Sequence, residues 1–247
     1  MDFTGKRVLI TGASSGIGKA CCKLLADQGA NLVLLARDRD KLESVKKSCK
    51  SSENHEIISF DLINGNIKDL EIHLTRLAPF SGLVHAAGIS PTIPLKVLKN
   101  EKLLEVFQLN VFSFIELIKI LSKPKIRENS MSVVAISSVL SEVGEKGKSL
   151  YAMTKASLVA LIKSLALEYA SKQIRFNTVS PSVVNTPLSE KSIYRDSEDA
   201  MAAINTQHPL GLGEPEDVAN AVSFLLSTQS RWITGTNMIV DGGYLAR

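Results

Sequence analysis

The sequence predicts an α/β fold: one doubly wound parallel sheet of about seven strands with helices on both faces, in a single domain spanning 1–247. Three observations predict it. Short apolar runs alternate with longer amphipathic segments along the whole chain. A glycine-rich turn joins the first apolar run to the first helical segment. No repeat, low-complexity stretch or linker divides the 247 residues, a length that buries a large core without staples.

Residues 6–11 (KRVLIT) read as the first strand, ended by Gly12. Residues 16–28 have helical spacing, with Ile17, Leu24 and Leu25 on the apolar stripe and Gly29 as the terminating glycine. A strand at 31–35 and a charged helix at 38–50, opened by an aspartate cap, follow. Then come strands at 56–60 and 82–86 flanking a short helix at 67–77. A long helix at 100–121, a strand at 131–137, a long helix at 150–171 and a strand at 174–179 continue the alternation. Residues 187–208 read as polar and irregular. A helix at 215–226, acidic in its first turn, and a strand at 237–240 complete the chain.

Charge and cysteine content exclude several classes. Lys and Arg total 29 against 25 Asp and Glu, a net +4. These charges are scattered, and Lys46, Lys47 and Lys50 read as the solvated face of a helix, so no nucleic-acid partner is expected. Cys21, Cys22 and Cys49 are an odd set without paired spacing, as in a reduced, cytoplasmic protein. The start, MDFTGKRVLI, lacks a secretory pattern, and no window of about 18 uninterrupted apolar residues predicts a membrane span. No metal site is expected.

The turn Thr11-Gly12-Ala13-Ser14-Ser15-Gly16-Ile17-Gly18 lies between a strand and a helix. There glycines permit a tight turn and close approach to a pyrophosphate, and the helix N-terminus offers free N–H groups. Gly12, Ser14, Ser15, Gly16, Ile17 and Gly18 are therefore candidate nucleotide ligands. A dinucleotide fold that prefers NAD carries a carboxylate at the end of the second strand. Here that strand ends in Ala36, and Arg37 follows. A guanidinium suits a 2′-phosphate, which points to NADP(H), although a solvated arginine would look the same. Asp61, after the third strand, is a candidate acceptor for an adenine amino group, or a plain turn aspartate.

Tyr151 and Lys155 stand one helical turn apart near the start of a long helix. An ammonium beside a phenol is expected to lower the phenol's pKa from about 10, fitting it for proton exchange with a substrate oxygen. Ser138, at the end of the fifth strand, can donate to the same oxygen, with Ser137 and Ser141 as rivals. Asn110, inside the preceding long helix, is placed to reach the lysine through water, or is a buried polar residue with a backbone partner.

On these residues the chain resembles the short-chain dehydrogenase/reductase family. The resemblance covers essentially the whole sequence. It rests on TGASSGIG, Asp61, Asn110, the serine thirteen residues before YAMTK, and the tail motifs PLGLGEPEDVA at 209–219, ITG at 233–235 and DGG at 241–243. It implies a catalytic tetrad of Asn110, Ser138, Tyr151 and Lys155. It also implies a cofactor lying along Leu62, Ala87, Gly88, Pro181 and Val184, with Lys155 on the nicotinamide ribose and Thr186 on the carboxamide. Length and tail look most like the 3-oxoacyl-acyl-carrier-protein reductases, which implies an acyl-thioester substrate; a sugar, steroid or small ketone is the alternative. Lys125, Arg127 and Lys172 are candidate contacts for an acidic carrier. The family also implies a homotetramer or dimer built through the two long helices and the last strand. A non-catalytic NADP(H) sensor or scaffold is the rival class, and it leaves Tyr151 without a purpose.

Three departures stand out. Where relatives carry Asn-Asn-Ala-Gly, this chain has His85-Ala86-Ala87-Gly88, so an amide that would steady the sheet is missing at 86. His85 reads as a strand-end residue rather than a base. Pro181-Ser182 replaces Pro-Gly, and its Cβ is expected to alter the loop over the nicotinamide. The segment 187–208, expected to form the substrate lid, is longer than in the acyl-carrier reductases.

Overall fold

The computed structural model describes residues 1–189 and 198–246. Seven parallel strands form one sheet: β1 (Arg7–Thr11), β2 (Asn31–Ala36), β3 (Glu56–Ser59), β4 (Phe80–His85), β5 (Arg127–Ile136), β6 (Ile174–Pro181) and β7 (Asn237–Val240). Their order is β3-β2-β1-β4-β5-β6-β7. The chain crosses from β3 at one edge to β4 beside β1, so the winding reverses between β1 and β4 and a crevice opens at their carboxyl ends.

The strands are apolar at nearly every position because both faces are covered. Successive side chains alternate. Val8, Ile10, Leu32, Leu34, Val84 and Val134 face one layer, formed by α1 (Gly16–Asp27), α2 (Arg39–Ser48) and α8 (Pro215–Leu226). Leu9, Val33, Leu35, Leu83, Val133 and Phe176 face the other layer, formed by α3 (Ile67–Leu77), α5 (Ser113–Leu121) and α6 (Ser149–Tyr169). Cys21, Cys22 and Cys49 are free and buried, and burial pushes the Cys21 thiol up to about 12. They pack as small apolar residues.

Local signals set the helix ends. Asp38 caps α2 by accepting from the Lys41 N–H at 3.1 Å. Glu214 and Asp217 form a reciprocal capping box on α8, with Pro215 in its first turn. Gly29, with φ +89°, follows α1. α6 is long and apolar enough to cross a membrane by length and composition. Its Leu158, Ile162 and Ala166 nevertheless sit in the core against the sheet.

Two expectations are corrected. The segment 100–121 is not one regular helix: α4 (Asn100–Phe107) and α5 are joined by a π-turn, Gln108–Phe112. The extra residue in that turn accompanies the inward placement of Asn110, whose amide bonds outside its own helix. The segment 187–208 is not irregular throughout, since α7 occupies Glu198–Thr206. Residues 190–197 of the expected lid lie outside the described residues.

Candidate active site

A cavity of about 860 Å³ runs along the carboxyl ends of the strands, from the glycine turn to α6. Every site residue expected from the sequence borders it except Asn110.

At one end the glycine turn meets the loop after β4. A Cβ on Gly12 would lie 2.8 Å from the Ala86 carbonyl oxygen, and one on Gly18 would lie 2.3 Å from the Gly12 oxygen. No side chain fits at either position. Ser15 caps α1 without a side-chain hydrogen bond, and no acidic residue stands in the first turn. The helix therefore keeps unsatisfied N–H groups and positive potential at the cavity, as an anionic pyrophosphate requires.

The second-strand end carries cations. Arg37 is exposed and borders the cavity, as does Lys41. The Asp38 carboxylate beside them is engaged as the α2 cap and pairs with Lys41 Nζ at 3.2 Å. Asp61 Oδ1 accepts from the Ile63 N–H at 2.9 Å and Oδ2 from Asn64 at 3.0 Å. Its partial burial raises its pKa, but those bonds and the Arg37 charge outweigh that effect and hold it below the ordinary value. Asp61 is thus an ionised acceptor facing the cavity.

At the other end stand Ser138, Tyr151 and Lys155. The Ser138 hydroxyl lies beside Tyr151, where it favours the phenolate, and it accepts from the Leu140 N–H at 3.2 Å. The rival serines are committed elsewhere: Ser137 Oγ donates to the Lys155 carbonyl at 2.9 Å and Ser141 Oγ to the Ser138 carbonyl at 2.8 Å. Lys155 is buried, with Nζ donating to the Ile136 carbonyl at 2.8 Å and lying 5.4 Å from the centre of the Tyr151 ring.

The expected acidity of Tyr151 is corrected. Burial pushes it up to about 12, and the neighbouring Ser138 hydroxyl offsets only part of that rise. Lys155 does not reverse it, because burial pulls its own pKa down to about 8 and its ammonium is turned to a carbonyl. In the free chain, loss of water from the phenolate outweighs the neighbouring amine.

Asn110 is fully buried and stands behind the cavity wall. Its Oδ1 accepts from the Ile89 N–H, and its Nδ2 donates to the Ile89 carbonyl and to Thr154 Oγ1, each at 3.0 Å. Both amide donors are thus occupied, and only an Oδ1 lone pair remains on the Lys155 side. A Cβ on Gly88 would lie 3.2 Å from Oδ1 and 3.6 Å from Lys155 Nζ.

The departures from the family pattern find local explanations. Thr11 Oγ1 pairs with His85 Nδ1 and accepts from the Ala87 N–H, both at 3.1 Å, so these bonds tie β1 to β4 where position 86 lacks an amide. His85 is buried, and burial with the Lys155 charge pulls its pKa down to about 3. It is a neutral strand-end residue. Ser182 Oγ pairs with His208 Nε2 at 2.7 Å, while His208 Nδ1 meets the Ile204 carbonyl at 2.7 Å. Tyr244 stacks on the imidazole. This group joins the loop after β6 to the end of α7. Thr186 packs beside Gly16.

The suggested carrier contacts are not at the site. Lys125, Arg127 and Lys172 lie at the amino ends of β5 and β6, opposite the cavity. Arg127 is engaged with the Ser122, Glu128 and Asn129 carbonyls. Sequence reasoning missed Lys41 and Lys148 on the cavity wall. Their positions at the starts of α2 and α6, facing the strand ends, were the available signal.

A doubly wound sheet with this cleft, a bare helix terminus and a serine–tyrosine–lysine wall defines a dinucleotide-binding oxidoreductase. A family model described as enoyl-(acyl carrier protein) reductase matches residues 12–245. The chain belongs to the short-chain dehydrogenase/reductase family. It is 33% identical over 247 residues to the 3-oxoacyl-[acyl-carrier-protein] reductase FabG of Rickettsia conorii, covering 99% of each chain. It is 34% identical over 248 residues to carbonyl reductase [NADPH] 2 of Sus scrofa, covering 100% of this chain and 99% of the relative. Among solved structures it is similar to 4-hydroxyisoleucine dehydrogenase complexed with NADH, with a TM-score of 0.89 and 29% identity over 98% of this chain and 99% of that one.

Proposed function

We propose that the protein is an NADP(H)-dependent carbonyl reductase. The observation that carries this reading is the gathering of Ser138, Tyr151 and Lys155 on one wall of the nucleotide cleft, with the Lys155 Nζ 5.4 Å from the centre of the Tyr151 ring. Arg37 and Lys41, beside an Asp38 turned away as a helix cap, support the phosphorylated cofactor. The name of the porcine relative agrees, while the NADH in the dehydrogenase structure makes Arg37 the deciding residue.

Bound in the cleft, NADPH would supply the hydride. Tyr151 gives its phenolic proton to the substrate oxygen as negative charge grows there, and Ser138 donates a hydrogen bond to that oxygen. An alkoxide holds a proton far more tightly than a phenolate, so a tyrosine of raised pKa still serves reduction. Oxidation of an alcohol needs the phenolate first, so this wall favours the reductive direction near neutrality. Lys155 faces the phenolate left behind. A sensor or scaffold has no use for this arrangement. The substrate's remaining groups are not set by these residues, and 3-oxoacyl thioesters, as in the FabG relatives, are one candidate class.

Exposed apolar side chains support the helix-mediated oligomer. Leu104 and Phe112 around the π-turn and Met153 and Leu167 on α6 are exposed. So are Trp232 and Ile239 at the last strand.

NADPH oxidation with a panel of ketones and one 3-oxoacyl thioester tests the reading. Tyr151→Phe is expected to lower kcat by about 10²–10⁴. Turnover at the wild-type rate in that variant would refute the mechanism.

A further inference from the structure

We propose that Lys148 binds a carboxylate on the substrate, so that this cavity takes a small oxo acid and its hydroxy-acid product. The proposal rests on the carbonyl-reductase reading and deepens it. Lys148 immediately precedes α6 and stands three residues before Tyr151; both border the cavity. The two side chains thus line one cavity, where a single small ligand can meet both.

Lys148 does not behave as a solvated surface lysine. It is only 6% exposed. Its Nζ donates to the carbonyl and to Oγ of Ser90, each at 3.2 Å. An ammonium has three N–H donors, and both of these acceptors belong to one residue. Among the described residues no carboxylate lies within 4.0 Å of it. Glu145, on the same loop, is exposed; its charge reaches Lys148 and favours the ammonium, but it forms no ion pair with it within 4.0 Å.

A buried ammonium with no carboxylate in contact among the described residues is costly, and an arriving anion offsets that cost while forming a charge-assisted hydrogen bond. The other cations on the wall have different surroundings. Arg37 and Lys41 lie at the second-strand end, and Lys155 is held on the Ile136 carbonyl. Ser90 follows Ile89, which Asn110 clamps through both its N–H and its carbonyl. The anchor for Lys148 is therefore fixed before any ligand enters. A neutral thioester at this place would cover the ammonium and give it no charge in return.

The test compares acetoacetate with methyl acetoacetate, using NADPH and the full chain. Wild type is expected to favour the acid at least tenfold in kcat/KM. Lys148→Met is expected to remove that preference, mainly by raising KM for the acid, and Lys148→Arg to retain it. A second readout needs no turnover: 3-hydroxybutyrate should raise the Tm of the NADPH complex in wild type and not in Lys148→Met, and its methyl ester should act on neither. If Lys148→Met does not fold, Lys148→Gln, which keeps a donor for Ser90, carries both comparisons. Preference for the ester in wild type, or an equal loss on acid and ester in the variants, overturns the proposal. Lys148-dependent binding of 3-hydroxybutyrate without reduction of any carbonyl supports the carboxylate site and overturns the reductase reading instead.

Discussion

Without cofactor, Tyr151 is expected to remain a neutral phenol far into alkaline solution. Its rise from 10.0 to about 12 corresponds to roughly 2.7 kcal/mol against the phenolate, at about 1.4 kcal/mol per pH unit. At pH 10 an ordinary tyrosine is half ionised, whereas Tyr151 would be about 1% ionised. The sign follows for stability. Below pH 10 neither the folded nor the unfolded chain carries this phenolate. Between 10 and 12 only the unfolded chain ionises, so stability falls as pH rises through that window. The assay is the near-ultraviolet difference spectrum of wild type minus Tyr151→Phe, which isolates one of the chain's four tyrosines. Titration from pH 8 to 11, with folding followed by circular dichroism, is expected to show no Tyr151 signal at pH 10. A Tyr151-dependent transition between 8 and 10 in the folded chain would refute the conclusion that burial outweighs the lysine.

Lys155 is pulled from 10.5 to about 8, so a penalty of up to about 3.4 kcal/mol builds as pH falls from 10.5 to 8 and is fully present below that. Lys155→Met should therefore raise the Tm of the cofactor-free chain at pH 7, an advantage that disappears near pH 10.5, while activity is lost. Arg37→Ala should raise KM for NADPH about tenfold or more and leave KM for NADH unchanged, as steady-state kinetics would reveal; an unchanged ratio removes Arg37 from cofactor choice. Gly18→Ala drives a methyl to 2.3 Å from a backbone oxygen and should abolish NADPH binding, read by fluorescence titration.

The parts of the site legible in the sequence are those whose chemistry is local. A turn that admits no Cβ announces itself as glycine at 12 and 18, and an arginine after the second strand follows from strand length alone. Tyr151 and Lys155 were readable because one helix fixes their spacing. The acidity of Tyr151 was not, because it depends on how much water several distant segments exclude. The π-turn was hidden for a similar reason: Gln108–Phe112 has an ordinary helical pattern, and only Ile89 and Thr154, far off in sequence, draw Asn110 inward. Lys125, Arg127 and Lys172 precede or open β5 and β6, whereas ligands meet a parallel sheet at its carboxyl ends, so their distance from the cavity was legible and was overlooked. Lys148 lay three residues from the tyrosine and was missed because its partner, Ser90, comes from across the fold.

The Asn110 amide has a mechanical consequence. Its Nδ2 holds Thr154 Oγ1, and that hydroxyl donates to the Tyr151 carbonyl at 2.8 Å. Two short links thus tie the π-turn beneath Leu104 and Phe112 to the first turn of α6, so the wall that carries Tyr151 and the helix behind it move as one rigid frame.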